Sequence, residues 1–350
     1  MTRKQSSEIY PVDTICILCW GLIGDVFIRV PVIELLKKNY PDAKITCVVD
    51  PVGVQVLQNH PDIDNVFIFS RNKSNKFSYI KQTIINIFKL RRKKFDLSVN
   101  LYSGGSSPLI SKLIAAKIRL GFDHSRSLRA ANTISAVHPS FCQHWSVALS
   151  NILWPLGIDA TLIRQGTSFY TSKEAMNDAT ETIKGRKCIA FNLGAGQNDK
   201  QWPVASYVEL ARFIHQEYGL IPLIISNPGM EQLTRSFSKI AGVEFEYEIL
   251  PMMNLDKLGA ILKQSIALIT GDTSIMHMAF GVKCPTLVLF TYTRPEIVEP
   301  EDCLHVSCFI ENKNTLNSCG KPPGTISMSV DYIISRFALL YDKLSLDTNR

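Results

Sequence analysis

A short apolar run, a glycine-containing turn and a helical apolar pattern follow one another near the start of the chain. Residues 14–19 are apolar and partly β-branched, which predicts a buried strand. The apolar residues after the turn recur at helical spacing, at Val26, Val30 and Ile33. Gly21 and Gly24 therefore lie between a strand and a helix, where glycine permits positive φ and close approach of a ligand to the backbone.

The same alternation of strand and helix continues to about residue 160. Further strands are predicted at 44–49, 65–69 and 95–101, and helices at 51–59 and 76–92. Strands that are separated by helices predict a parallel, doubly wound sheet of the α/β class.

A second set of elements repeats this pattern. We predict strands at 187–193, 221–225, 266–270 and 285–290, with helices between them and an amphipathic helix near the end. A length of 350 residues also suits two domains of ordinary size. The predicted domain bounds are 1–165 and 166–326, and a terminal helix and tail follow at 327–350.

Composition narrows the class of protein. The formal net charge of +7 predicts an anionic partner, but it does not separate nucleic acid, lipid and phosphorylated substrates. The nine cysteines are scattered, and no convincing secretory signal precedes them. No apolar run approaches the ~20 residues of a membrane helix. We therefore expect reduced thiols and a cytoplasmic protein, either soluble or peripheral to a membrane.

Residues 71–94 form a basic cluster with nine Lys or Arg residues, no acidic residue, and interleaved aromatic side chains. Such a cluster is often a solvated helix face. The alternative is a docking surface for anionic lipid or a phosphorylated acceptor. Nucleic acid is not expected as a partner, because no helix-turn-helix, zinc or RNA-binding signature accompanies the charge.

Asp25 directly follows the first turn and has two interpretations. A carboxylate at a helix N-terminus stabilises the helix against its unpaired N–H groups and its dipole. Alternatively, Asp25 lies at the mouth of a cleft and accepts a proton from a substrate.

Two further turns carry polar side chains where ligands bind in open α/β sheets. The loop at 192–203 contains Gly194 and Lys200, and such a loop presents N–H groups and a cation to phosphate. The second turn follows the strand at 266–270, and a helix is predicted to start at about Thr273 with Asp272 as its N-cap. Its other polar residues are Ser274 and His277.

Metal and dinucleotide sites have weaker support in the sequence. Asp62 and Asp64 form a D-x-D pattern, but it precedes a strand and is typical of a turn, and no Cys pair has zinc-ligand spacing with credible partners. We expect no metal and no cofactor. An NAD-dependent oxidoreductase stays an alternative, since Asp50 imitates the ribose-binding acid of that fold, although the first turn is GxxGD rather than GxGxxG.

Three motifs in order resemble a known family, the ADP-heptose:lipopolysaccharide heptosyltransferases of glycosyltransferase family nine. The first joins Gly24-Asp25 and Pro31 with the segment 40–45. The second is Asn198-Asp-Lys-Gln-Trp-Pro203, and the third is Gly271-Asp-Thr-Ser-Ile-Met-His277 with Pro285. Together they extend the resemblance from about residue 14 to 295.

The resemblance implies a GT-B architecture, in which two doubly wound Rossmann-like domains face each other across a cleft and the terminal helix can cross back onto the first domain. The implied enzyme is an inverting, metal-independent glycosyltransferase of the bacterial cytoplasm, which uses ADP-heptose or another nucleotide sugar. The implied acceptor is an anionic glycolipid of the lipopolysaccharide pathway. Because such lipids lie in the inner membrane, the basic cluster at 71–94 predicts peripheral membrane contact.

The resemblance also implies roles for individual residues. Asp25 matches the catalytic base, and Lys200 matches the lysine that neutralises the donor diphosphate. The residues that match the donor-binding turn are Asp272, Thr273, Ser274 and His277. Glu231 falls at a ribose-binding position and Met253 near an adenine contact, although Met253 is equally consistent with a core residue. Gly24 and Gly194 complete the donor-binding set as glycines of the two turns.

One departure from the family pattern bears on specificity. Ser274 stands where the family has glycine, so a side chain intrudes where the donor sugar or phosphate would pass. A transferase of the same fold that uses a different nucleotide sugar, or that acts on a protein or another polysaccharide, therefore stays open. A sugar-binding relative without transferase activity is a further alternative.

Overall fold

The computed structural model describes residues 11–70, 76–102, 104–123, 131–137, 143–163, 165–197, 200–291, 293–309 and 328–347. The chain divides into two compact units, Met1–Thr167 and Ser168–Arg350. Residues 71–75 of the basic cluster and residues 198–199 of the second motif lie outside the described residues.

The first unit contains a six-stranded parallel sheet in the order β3-β2-β1-β4-β5-β6. Its strands are β1 (Thr14–Cys19), β2 (Lys44–Val49), β3 (Asn65–Ile68), β4 (Leu97–Asn100), β5 (Ile118–Phe122) and β6 (Ile134–Ala136). Its helices are α1 (Ile23–Phe27), α2 (Val30–Asn39), α3 (Val54–Leu57), α4 (Lys76–Arg91), α5 (Ser107–Ile114) and α6 (Trp145–Ser150).

The second unit contains a six-stranded parallel sheet in the order β12-β11-β10-β7-β8-β9. Its strands are β7 (Cys188–Asn192), β8 (Ile221–Ile224), β9 (Glu248–Ile249), β10 (Leu268–Gly271), β11 (Thr286–Leu289) and β12 (His305–Cys308). Its helices are α7 (Lys173–Ile183), α8 (Val204–Tyr218), α9 (Glu231–Ala241), α10 (Leu255–Gln264), α11 (Ser274–Gly281) and α12 (Val330–Asp347).

Helices cover both faces of each sheet, so the central strands are buried on both sides. β4, β7 and β10 are buried at every position, as expected for parallel strands that are covered on both sides. In the first unit, Leu90 of α4 and Ile110 of α5 lie in one core cluster with Leu18 of β1. The doubly wound α/β fold that the sequence predicted is confirmed in both units.

Each sheet has one topological switch point, where the strand order reverses. It lies between β1 and β4 in the first unit and between β7 and β10 in the second. Ligands of open α/β sheets bind outside the carboxyl ends of the strands at this point. The turns after β1 and after β10 therefore lie where the fold places ligands.

The helix after β1 differs from the prediction, because two helices replace one continuous helix. α1 ends at Phe27 and α2 begins at Val30, with Pro31 in its first turn. A proline ring clashes with the carbonyl of the residue four positions earlier and lacks an N–H, so it is tolerated only in a first helical turn. The break follows directly from Pro31.

The terminal helix α12 packs within the second unit. Ile333, Phe337 and Leu340 are buried in its core, and the Trp202 indole donates to the Met328 carbonyl at 2.9 Å. The packing observed for α12 is thus with the core of the second unit. Among the described residues, no helix is both long enough and apolar enough to span a bilayer.

We predict that Phe337→Ala lowers the free energy of unfolding of the second unit by about 3–5 kcal/mol, because it leaves a cavity in a fully packed core. Leu339→Ala is the matched control on the same helix, since Leu339 is 39% exposed, and its effect is expected to be about 1 kcal/mol or less. Urea unfolding followed by near-ultraviolet circular dichroism measures both. Equal midpoints for the two variants would contradict the assignment of α12 to this core.

Candidate active site

The turn after β1 holds the Asp25 carboxylate in one position. Asp25 is the third residue of α1 and is half-buried, and its Oδ2 accepts the Leu22 N–H at 2.8 Å. Gly21 has φ +128°, and a Cβ on this residue would lie 2.5 Å from Asp25 Oδ2. The glycine is therefore required because the carboxylate closely approaches its backbone.

Asp50, at the end of β2, fixes the same turn. Its Oδ2 accepts the Gly21 N–H at 3.0 Å. The sequence suggested Asp50 as an imitation of the ribose-binding acid of dinucleotide folds. In the structure this carboxylate instead binds the backbone of the turn that carries Asp25.

Arg29 links the two strands on either side of the first switch point. It is buried, and its Nη1 donates to the carbonyls of Trp20 at 2.6 Å and Asp25 at 2.7 Å. Its Nε donates to the Leu101 carbonyl at 3.3 Å, just beyond β4. A buried charge that satisfies three carbonyls makes the base of the Asp25 turn rigid.

In the second unit, Lys200 is paired rather than free. Its Nζ lies 2.7 Å from Asp272 Oδ2, and the Thr293 hydroxyl donates to the same oxygen at 2.5 Å. This corrects the expectation that Asp272 is a helix N-cap. The N-cap of α11 is Thr273, so the Asp272 side chain is directed to Lys200 instead.

Asn192, the last residue of β7, connects three strand ends. Its Nδ2 donates to the hydroxyls of Thr270 at 2.9 Å and Thr273 at 3.1 Å. Its Oδ1 accepts from Asn227 Nδ2 at 2.7 Å. The loops after β7, β8 and β10 are thereby held together at the second switch point.

Gly194 has a packing role that the sequence did not reveal. A Cβ on this residue would lie 2.0 Å from the Met230 sulfur, so any larger residue would displace the Met230 side chain, which lies just before α9. Glu231 is the exposed first residue of α9, and its Oε1 accepts the Gly229 N–H at 3.1 Å. Hydrogen bonds from its own N–H and that of Gly229 lower the pKa of the Glu231 carboxyl.

The remaining candidates follow strand ends of the same two sheets. Met253 is half-buried in the loop after β9, and Ser274 is the half-buried first residue of α11. His277 is buried one turn further along α11. Gly24 is the second residue of α1, directly before Asp25.

The chemistry available differs between the two units. The first unit supplies a positioned carboxylate, which suits proton transfer. The second supplies a lysine beside the N-terminus of α11, and N–H groups at helix N-termini bind anions such as phosphate. No group of three His, Cys, Asp or Glu residues in the described ranges is arranged to hold a metal ion.

Comparison with known proteins decides the family. Residues 87–318 match the model of glycosyltransferase family 9 (heptosyltransferase), which is well over half of the chain. The chain belongs to glycosyltransferase family 9. The resemblance inferred from the three motifs is thus confirmed, and the protein is a glycosyltransferase enzyme rather than the oxidoreductase that was kept as an alternative.

Individual relatives agree with this family. Lipopolysaccharide heptosyltransferase 3 of Escherichia coli is 26% identical over 277 residues, which are 77% of this chain and 81% of the relative. The family 9 glycosyl transferase of Veillonella parvula DSM 2008 has a similar structure, with a TM-score of 0.81 at 20% identity over 94% of this chain and 97% of that one. The E. coli ADP-heptose lps heptosyltransferase II has a TM-score of 0.77 at 18% identity, over 96% of this chain and 99% of that one.

Several residues of this transferase's candidate site were not found from the sequence. They are Arg29, Asn192, Asn227 and Thr293. The sequence does contain an indication of a special role for Arg29, since it is a charged residue inside an otherwise apolar segment that was predicted to be helical. Asn192 and Asn227 had a weaker signal, since each ends or follows a buried strand of the parallel sheet.

We predict that Gly21→Ala reduces glycosyl transfer about 100-fold or more, because the new Cβ displaces the Asp25 carboxylate from its position. Gly105→Ala is the matched control. Gly105 also has positive φ, but it is exposed, and a Cβ added to it would meet no atom within 4 Å. Both substitutions strain the backbone, so both are expected to lower the melting temperature. Only Gly21→Ala also displaces Asp25, so only this variant is expected to lose turnover. Equal turnover of the two variants would contradict the prediction.

Proposed function

We propose that this enzyme moves a heptose from ADP-heptose onto the lipopolysaccharide core or a related surface glycan, with inversion at the anomeric carbon and without a metal. The observation that carries the proposal is the pairing of Lys200 with Asp272 beside the N-terminus of α11. The names of the relatives support the sugar and the acceptor, since they include a lipopolysaccharide heptosyltransferase and an ADP-heptose lps heptosyltransferase.

The donor diphosphate is bound by the second unit in this proposal. Lys200 and the N–H groups at the start of α11 meet the charge that builds up on the leaving diphosphate. Thr273 is held by Asn192, so its position is set before the donor arrives. Glu231 and Met253, after the neighbouring strands β8 and β9, contact the ribose and the adenine.

Asp272 keeps Lys200 in place while the donor is absent. Both side chains are mostly buried, with 20% exposure for Lys200 and 13% for Asp272. A buried lysine without a partner would be costly, so the carboxylate balances its charge until the diphosphate binds.

Asp25 is the general base in the proposed mechanism. The acceptor hydroxyl attacks the anomeric carbon from the face opposite the diphosphate, and its proton passes to the Asp25 carboxylate. The bond between the anomeric carbon and the diphosphate oxygen breaks as the new glycosidic bond forms, and ADP leaves. Attack from the opposite face inverts the anomeric configuration.

The proposed acceptor is an anionic glycolipid, and the proposed location is the cytoplasm at the inner face of the inner membrane. A second candidate keeps the reaction and changes the donor. Ser274 favours it, because this side chain begins α11 where the family pattern has glycine. The alternative donor is another nucleotide sugar, with a protein or a different polysaccharide as acceptor.

We predict that Asp25→Asn lowers turnover by about 10²–10⁴-fold, the usual contribution of a general base, and leaves the thermal stabilisation by ADP-heptose unchanged. Asp42→Asn is the control, because Asp42 is an exposed carboxylate of the same unit. Turnover is measured as ADP release with a lipopolysaccharide core acceptor. Near-full turnover of the Asp25→Asn variant would remove Asp25 from the role of base.

We predict that Lys200→Ala weakens donor binding as well as turnover, because the diphosphate loses its cation. Lys187→Ala is the control, since Lys187 is an exposed lysine of the same unit. The measurement is the rise in melting temperature with ADP-, UDP- and GDP-sugars. A ligand at 100 times its dissociation constant adds about 2.7 kcal/mol of stability.

The same screen tests the donor. ADP-heptose is expected to give the largest rise with the parent protein, and a reduced rise with Lys200→Ala. A larger rise with a UDP- or GDP-sugar would favour the second candidate. An unchanged rise for Lys200→Ala would contradict the role of this lysine.

A further inference from the structure

Helix α4 carries apolar side chains on the side that faces away from the sheet. Its inward side is formed by buried Asn86 and Leu90. Exposed apolar residues recur on the opposite side at spacings of three and four residues, at Phe77, Ile80, Ile84 and Phe88. Phe77 is 87% exposed, Ile84 62% and Phe88 59%. A helix that buries one side on its domain and keeps an apolar stripe on the other has a second surface to cover.

Helix α5 extends this apolar surface. α4 and α5 are in contact, and both pack on the same core cluster through Leu90 and Ile110. Leu109 and Leu113, one helical turn apart, are 53% and 37% exposed. The exposed apolar residues of the two neighbouring helices together form what we call the α4–α5 surface.

Basic side chains accompany the α4–α5 surface. Those on and just after α4 are exposed, at Lys81, Lys89, Arg91, Arg92, Lys93 and Lys94, and α5 adds Lys112. No acidic residue occurs between 76 and 94. The Arg92 guanidinium lies 5.7 Å from the centre of the Phe88 ring, so charge and apolar area are adjacent.

We propose that the α4–α5 surface docks this enzyme on an anionic lipid bilayer. An amphipathic helix with an apolar stripe and flanking Lys and Arg residues lies in the interface plane, with its apolar side chains among the acyl chains and its cations at the headgroups. A bilayer with anionic headgroups is the partner that matches this surface, since it offers both negative charge for the Lys and Arg residues and an apolar layer for the stripe. The helix lies on such a bilayer and does not cross it.

This inference deepens the proposed function, because a lipid-linked acceptor is presented at such a bilayer. Its test needs no sugar and no acceptor. Docking on a bilayer can therefore be disproved while the proposed transfer reaction is upheld, and the transfer reaction can be disproved while docking is upheld. The probe is a vesicle of phosphatidylcholine, with or without phosphatidylglycerol, and the readout is sedimentation of the full chain with the vesicles.

The first comparison removes the apolar stripe. Ile84→Gln with Phe88→Gln is expected to lower the binding constant for phosphatidylglycerol-containing vesicles about tenfold or more. Ile240→Gln with Val243→Gln is the matched control, since both residues are exposed apolar positions at the end of α9 in the other unit. Equal loss of binding in the two pairs would overturn the proposal.

The second comparison removes charge. The triple variant Arg91→Gln, Arg92→Gln, Lys93→Gln is expected to weaken binding about tenfold or more at low salt and less at high salt. The control triple variant Lys187→Gln, Lys239→Gln, Lys263→Gln removes the same net charge from exposed positions of the second unit. If both triple variants bind equally, net charge rather than the α4–α5 surface attracts the protein, and the proposal is wrong.

Two further measurements keep the outcome unambiguous. The donor-induced rise in melting temperature is expected to be unchanged in all four variants, since none alters the donor-binding residues, and this shows that they fold. Light scattering tests whether a second copy of the chain, rather than a bilayer, covers the α4–α5 surface. A dimer that dissociates on Ile84→Gln with Phe88→Gln, without any change in vesicle sedimentation, would overturn docking on a bilayer.

Discussion

In both units, the parallel sheet is buried on both faces, so the polar side chains that can contact a ligand lie at the ends of its strands. The central strands are buried at nearly every position, so their side chains form the cores. Hydrogen-bonding side chains are therefore concentrated where the strands end and the order of the sheet reverses. The candidate catalytic and donor-binding residues of this transferase lie at these strand ends.

One buried polar side chain bridges each of the two switch points. Arg29 joins the carbonyls of Trp20 and Leu101, which follow β1 and β4. Asn192 joins β7 to Thr270 of β10. Because each bridge satisfies buried polar groups on both sides of the reversal, the strand ends cannot separate without leaving such groups unpaired. The two units thus use different residues for the same physical task.

The side chains that the proposed mechanism uses are also held in fixed positions. Asp25 is fixed by the Leu22 N–H and by the packing of its carboxylate against Gly21, and Lys200 is fixed by Asp272. Groups that are positioned before the substrate arrives need little rearrangement as charge develops in the transition state. The apolar residues of the α4–α5 surface, by contrast, are exposed side chains, so they can be replaced without removing either bridging residue.

Local sequence patterns are enough to predict the order and type of the elements and three turns of the candidate site. The apolar runs of β1 and β2 and the helical period of α8 are local signals, since burial on both faces of a sheet or on one face of a helix dictates the residue at each position. The turn residues at Asp25, Lys200 and Asp272 were found because each follows such a run. Which of these residues contact one another depends on the folding of segments that are distant in the chain.

Lys200 and Asp272 are 72 residues apart, and Arg29 and Leu101 are also 72 residues apart. Sequence periodicity describes neighbours within a few positions, and no local pattern encodes a hydrogen bond across such a separation. The same reason explains why the residues around Asp272 predict a helix cap, a role that Thr273 has in the structure. The actual partner of Asp272 comes from a different loop, and only the folding of the sheet brings the two loops to the same edge.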